Sequence, residues 1–447
     1  MEKLTKRSQL VVYAISGMGI NMLNLMMGSY LCSALLVGGF GESAIPFQTY
    51  HQRDLVIAAV WAMFVFVAKI IDGIIDIPLA SFTDNLQSRW GRRKTSLVIG
   101  LVPLLLAYVL FLVVPNPSGA TWLNTIYFGV ILCIFYTSYT LVMVTYYATF
   151  TEIVETERER SLLSNVKSVC DILYFILGYV VVRMFLNSYN VRIVALMTLP
   201  LALTMLIPLF MIREKSTPEQ MARTKSVNLV TSLKVTFKNK AFILWMVLYA
   251  CMTFGVQLFL GGINEYFSYV GMNMVMVMGG TFSPVPFTLI LYNYICRRKG
   301  FGFAFRCALI AFSLGMFFLF AVGFMQAGTL KAVLSIVAGL CCSLAVGALF
   351  SVAYSVPAQL AAEEQEKTGI SNSAMYFAVQ GLFAGVATGL GTGIVLTALK
   401  GSEASASGAI AYMTLIAGLG TLVAAVLISI LPKSIITMGL DRKNQKD

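Results

Sequence analysis

Lys69, Asp72 and Asp76 stand inside an otherwise apolar run, VFVAKIIDGIIDIPLASF. A charge at the centre of a bilayer costs about 2.5–3.5 kcal/mol even on the most lenient scale, so ionisable groups in such a run serve a function or a partner. Asp72 and Asp76 are four residues apart and share one helical face. Two ionised carboxylates one turn apart repel. A cation between them, or a proton on one of them, removes the repulsion. The pair therefore suits Na⁺, Li⁺ or H⁺, with oxygen ligands for the metal ions. A second reading is a buried Lys69–Asp72 pair that only fastens helices together, which leaves Asp76 without a partner.

Lys167 and Asp171 repeat the four-residue spacing where a later apolar run begins. They form either an ion pair near a helix end or part of a cavity wall. Glu265 stands near the end of another run and reads as an interfacial charge. His51, the single histidine, reads as a solvated loop residue. The run FYTSYTLVMVTYYATFTE brings Tyr139, Thr140, Tyr146 and Tyr147. Such rings stack on apolar sugar faces and such hydroxyls hydrogen-bond, or else the residues simply pack. GLGTG at 389–393 lacks the P-loop spacing and its Lys-Ser/Thr, so close helix contact is expected there. The eight cysteines form no CxxC pair and read as small buried hydrophobes. No metal cluster and no nucleophile–base set is visible, so the chain is not expected to be an enzyme. No ATP-binding motif is present, which points to an ion gradient as the energy source and to no cofactor.

The elements that must position these residues follow from composition. Of 447 residues, 58% are hydrophobic and only 12% charged, against roughly 25% charged in a soluble domain. Too few charges exist to cover a water-facing surface, so lipid is the solvent for most of it. Twelve apolar runs are long enough to span: 10–38, 55–82, 95–115, 121–151, 164–187 and 191–212, then 241–270, 273–296, 304–327, 330–361, 372–399 and 408–432. The predicted class is an all-α polytopic membrane protein, with six-helix halves at 1–212 and 241–447 and a polar cytoplasmic loop at 213–240. No sequence repeat links the halves. The net charge of +12 lies in short clusters between spans, which excludes a nucleic-acid groove. All but six of the 32 Lys and Arg fall at the termini and the even-numbered connections. Arg53, Arg183, Arg192, Lys331 and Lys400 lie on the other side, and Lys69 lies within a span. The bias places both termini in the cytoplasm. The run after Leu10 is too long for a signal-peptide core.

Residues 68–94, AKIIDGIIDIPLASFTDNLQSRWGRRK, resemble the glycoside–pentoside–hexuronide:cation symporter family of the major facilitator superfamily. The family pattern is R/K-x-x-D-x-x-x-D-P, then a loop ending R-W-G-R/K. Lys69, Asp72, Asp76, Arg89, Trp90, Gly91 and Arg92 fit it, with the proline one place late at Pro78. ERER at 157–160 resembles the family's RER-type loop, and EEQEKTG at 363–369 its acidic segment before span eleven.

The resemblance implies a major-facilitator fold, alternating access and a set of roles. Asp72 and Asp76 fall at the cation-binding aspartates and Thr140 at a span-four threonine ligand. Tyr147 falls at the aromatic that packs on the sugar, and Asn21 at a sugar-binding aspartate. Lys167 lies one place from a span-five arginine, with Asp171 beside it. Three departures matter: Met143 replaces an aspartate, Ile75 an asparagine and Gly385 a lysine. Fewer oxygen ligands favour H⁺ over Na⁺; if Na⁺ is the ion, Asp72 and Asp76 are its ligands. The expected solute is a sugar, glycoside or uronide, an anionic one being held by Lys167. Asp84, Arg89, Arg92, Arg158, Arg160, Glu363 and Glu366 would form cytoplasmic ion pairs that break and reform. The expected setting is the cell membrane, as a monomer whose partners are the solute and the bilayer. The rivals are a lysolipid carrier of the same fold and a non-transporting receptor or scaffold.

Overall fold

The computed structural model describes residues 7–36, 50–51, 53–86, 88–153, 157–212, 237–368, 373–402, 405–406 and 408–438. Twelve helical segments among them are long and apolar enough to cross a membrane. The apolar runs demand this form, because a chain in lipid satisfies its own N–H and C=O groups only in a helix or a closed barrel. The first six are α1 (Arg7–Leu35), α2 (Ala58–Asn85), α3 (Arg92–Phe111), α4 (Trp122–Glu152), α5 (Glu157–Ile176, continued to Leu186) and α6 (Val191–Met211). The second six are α7 (Lys240–Gly261), α8 (Met274–Lys299), α9 (Phe301–Gly323), α10 (Thr329–Thr368), α11 (Ser373–Thr388, continued to Lys400) and α12 (Gly408–Ile430). A two-residue ladder pairs Gly401–Ser402 with Ser405–Ala406.

The 40 residues of α10 reach about 60 Å at about 1.5 Å each, twice the roughly 30 Å hydrocarbon core. Its charged C-terminal turns therefore stand in water. The run 241–270 reads as one span, but the helix stops at Gly261 and a short helix, Ile263–Val270, follows Gly262. A Cβ on Gly262 would lie 2.3 Å from Met413 Sδ and 2.5 Å from Leu396 Cδ1, so a larger residue there would have to displace the ends of these two side chains. Gly91 closes the RWGR turn with φ 91°, a conformation that side chains disfavour, and α3 starts at the next residue.

The chain divides into two compact units, Met1–Leu36 with Ile45–Val227, and Val37–Ala44 with Asn228–Asp447. In the first, α4 packs against both α2 and α3, while α1 packs on α5 and α6. In the second, α10 packs against α8 and α9, while α7 packs on α11 and α12. The same pairing scheme thus appears twice, a repeat that the residues themselves do not display. Large apolar side chains such as Phe210, Phe287 and Ile290 point outward, as lipid-facing residues do.

In the GLGTG segment, Gly391 would bring a Cβ 3.2 Å from Phe254 O, and Thr392 packs on Gly261, so close helix contact is what it provides. Two expectations need correction. Glu265 is not interfacial: it is fully buried and ion-paired with Lys400. The cysteines are all free, yet only Cys170 and Cys342 are buried, the rest being half-buried. His51 is half-buried beside Tyr50, and burial, Arg192 and Arg53 hold its pKa below the usual value.

Candidate functional site

The ionisable residues of α2 meet α4. Thr140 donates to Asp72 Oδ1 at 2.5 Å. Lys69 Nζ stands 4.0 Å from the other oxygen, Oδ2. The same ammonium lies 3.6 Å from the centroid of the Tyr136 ring, where the ring's negative face receives it. Asp76, one turn further on, is half-buried and has no hydrogen-bond or ion-pair partner among the described residues. Pro78 lies within α2 and cannot donate to the carbonyl of Ile74, which loosens the helix beside Asp76. The Lys69–Asp72 pair therefore exists, but it leaves Asp76 unanswered. Two carboxylates and a threonine hydroxyl on this face can share a proton or a small cation. No group of three or more His, Cys, Asp or Glu residues suited to a metal is found among the described residues.

A second polar group joins α1, α4 and α5. Lys167 and Asp171 form an ion pair within α5. Asn21 Nδ2 donates to Asp171 Oδ1 at 3.4 Å, and Tyr139 OH donates to Asn21 Oδ1 at 3.1 Å. The Lys167 ammonium lies 5.8 Å from the centroid of the Tyr147 ring, which is 37% exposed. The ion pair is present, and it stands beside the partly exposed ring of Tyr147. Asn21, Tyr147, Lys167 and Asp171, predicted separately, are brought together here.

One stripe of α4 serves both groups. Tyr136, Tyr139, Thr140, Met143 and Tyr147 recur at the three- and four-residue steps of a helix face. Thr140 holds Asp72 while its neighbour Tyr139 holds Asn21. Tyr136 escaped sequence reasoning, although an aromatic one turn before Thr140 was a signal for it. Met143, at the place of the missing carboxylate, is buried apolar filling.

At the α2–α3 turn, Arg89 is exposed and Arg92 half-buried. The buried residue there is Arg93, whose Nη1 donates to Thr83 Oγ1 at 3.3 Å. Glu363 accepts from Gln359 Nε2 at 3.2 Å within α10. The side chains of Asp84, Arg158, Arg160 and Glu366 lie outside the described ones.

Twelve spanning helices that carry partnered charges and aromatic rings in one unit define a polytopic membrane protein of the transporter kind. The chain belongs to the MFS/sugar transport protein family, whose model matches residues 12–436. It is a multi-pass membrane transporter and not an enzyme. Among solved structures it resembles the nucleoside transporter NupG, with 13% identity, TM-score 0.63 and coverage of 96% of this chain and 100% of that one. It resembles the xylose transporter XylE from E. coli in an inward-open form, with 15% identity, TM-score 0.61 and coverage of 97% and 98%. It also resembles a POT family transporter in complex with a thioalcohol-conjugated peptide, with 12% identity, TM-score 0.64 and coverage of 95% and 96%. At such identities these likenesses concern the fold. No curated protein matches the sequence.

Proposed function

We propose that the protein is a cation-coupled secondary transporter that imports a sugar, glycoside or uronide by alternating access. Asp72, Asp76 and Thr140 receive the coupling ion, and Asn21, Tyr139, Tyr147, Lys167 and Asp171 meet the solute. The observation that carries this reading is the α4 stripe, on which Thr140 binds Asp72 and adjacent Tyr139 binds Asn21. Ion binding that repositions Thr140 must be felt at Tyr139. By linkage, solute binding changes ion affinity by the same factor.

The coupling ion in this reading is H⁺, with Na⁺ as the alternative. The ligands are two carboxylates and one hydroxyl, and Lys69 adds a positive charge 4.0 Å from Asp72 that opposes a metal ion. A proton needs only one of the two carboxylates. The setting is the cell membrane, with both termini cytoplasmic.

Reconstitution in proteoliposomes tests this. A panel of radiolabelled sugars, glycosides and uronides is offered under an imposed pH or Na⁺ gradient at fixed membrane potential. Accumulation that follows the pH gradient is expected. Accumulation that follows Na⁺ and ignores pH reassigns the ion, and uptake of no member of the panel overturns the sugar reading.

A further inference from the structure

We infer that Asp171 is the internal counter-ion of Lys167 and that it selects an uncharged solute, a neutral glycoside over its matching uronide. The inference deepens the proposed function and rests on it. Lys167 is the cation that would hold an anionic sugar. In the structure its ammonium is already ion-paired with Asp171, and the two side chains are only 8% and 17% exposed. Asp171 is held in place from another helix by Asn21, whose own amide oxygen accepts from Tyr139. The carboxylate is therefore a fixed part of the site.

A uronide would bring a second carboxylate to an ammonium that already has one. Two carboxylates beside a single cation repel strongly where water screens little. Expelling Asp171 instead leaves a buried charge without its partner. A neutral sugar meets no such conflict. Its hydroxyls donate to the Asp171 carboxylate, and its apolar face rests on the exposed ring of Tyr147. The charges of the other group point the same way. Lys69, Asp72 and Asp76 sum to one negative charge, which one monovalent coupling ion cancels. Among these five groups no positive charge is left for an anionic solute.

The experiment is calorimetric titration of the purified protein with matched probes that differ only at C6. Phenyl β-D-glucoside is compared with phenyl β-D-glucuronide, and phenyl β-D-galactoside with phenyl β-D-galacturonide. The natural protein should bind a glycoside at least about tenfold more tightly than its uronide. Asp171→Asn frees Lys167, and its uronide affinity should rise at least about tenfold relative to the glycoside. Adding Lys167→Met to Asp171→Asn should abolish that gain, which shows that it runs through the ammonium. Equal or tighter uronide binding by the natural protein overturns the inference and leaves the sugar reading standing. A monodisperse Asp171→Asn protein with no uronide gain also overturns it. Should that variant not fold, the comparison on the natural protein decides alone. Binding of neither probe class overturns the sugar reading and this inference with it.

Discussion

Two clusters of buried charge, one in each unit, are partnered differently: Glu265, Lys400 and Lys331 in the second, and Lys69, Asp72 and Asp76 on α2 in the first. In the second unit, Glu265 is fully buried and ion-paired with Lys400, itself 4% exposed, while its carboxylate oxygens have no hydrogen-bond partner among the described residues. Lys331 there spends its protons on three backbone carbonyls, those of Val270, Gly323 and Met325, at 2.6, 3.2 and 3.0 Å. These charges are closed off and fasten the short helix Ile263–Val270 to α9, α10 and α11. In the first unit, the Asp72 side chain is 26% exposed and Asp76 has no partner among the described residues. An ion pair at full burial marks a fastening. Incomplete pairing with an open side marks a place kept for something else.

The contrast breaks most visibly at the fastening. Lys400→Met leaves Glu265 buried alone, and stability in detergent should fall by about 3–5 kcal/mol. The pair Glu265→Leu with Lys400→Met should recover most of that loss, since a buried ion pair and an apolar pair of similar volume are nearly equivalent. Lys69→Met in the first unit should cost less than Lys400→Met, because Asp72 keeps the Thr140 hydrogen bond and a partly open side. Chemical denaturation of the three variants checks this, and equal losses at Lys400 and Lys69 would remove the distinction between the units.

A smaller effect is expected at the hydroxyl that holds the carboxylate. Thr140→Val removes one hydrogen bond to the Asp72 carboxylate, worth about 1.5–3 kcal/mol. Because Thr140 stabilises the ionised form, coupling protons should then bind at least about tenfold more tightly. The proton concentration at half-maximal uptake reads this directly, and an unchanged value would detach Thr140 from the ion.

The smallest effect concerns a group outside both sets. The lowered pKa of His51 means that the folded protein holds fewer protons there than the unfolded chain. Its contribution is fully present above the usual value of about 6.5 and is lost as pH falls from there through the lower value of the folded protein. His51→Gln should therefore narrow the difference in Tm between neutral and mildly acidic buffer by about 1 °C or less. A wider difference would give His51 a partner beyond Arg192 and Arg53.

The helices were legible because lipid imposes a length and an apolar composition that twelve runs satisfy. The break at Gly262 was not, since the side chains packed around it, Met413 and Leu396, come from helices distant in the chain. Asp72 and Asp76 were legible because a carboxylate in an apolar run has few other reasons to be there. Thr140 showed among the hydroxyls of its run, but its place beside Asp72 and the role of Asn21 emerged only through the family resemblance. The Lys69–Tyr136 contact and the Glu265–Lys400 pair depend on how neighbouring helices are rotated and how deep each residue sits. No local spacing encodes that. The i, i+4 spacing of Lys167 and Asp171 announced a pair, but not the Asn21 and Tyr139 contacts that fix it across helices.

The central claim is that the first unit holds the coupling ion at Asp72. Asp72→Asn in proteoliposomes tests it most directly, with accumulation against a gradient compared with equilibrium exchange of the same solute. The variant should lose cation-driven accumulation and retain exchange. Accumulation at the natural level by a variant that lacks this carboxylate would contradict the account.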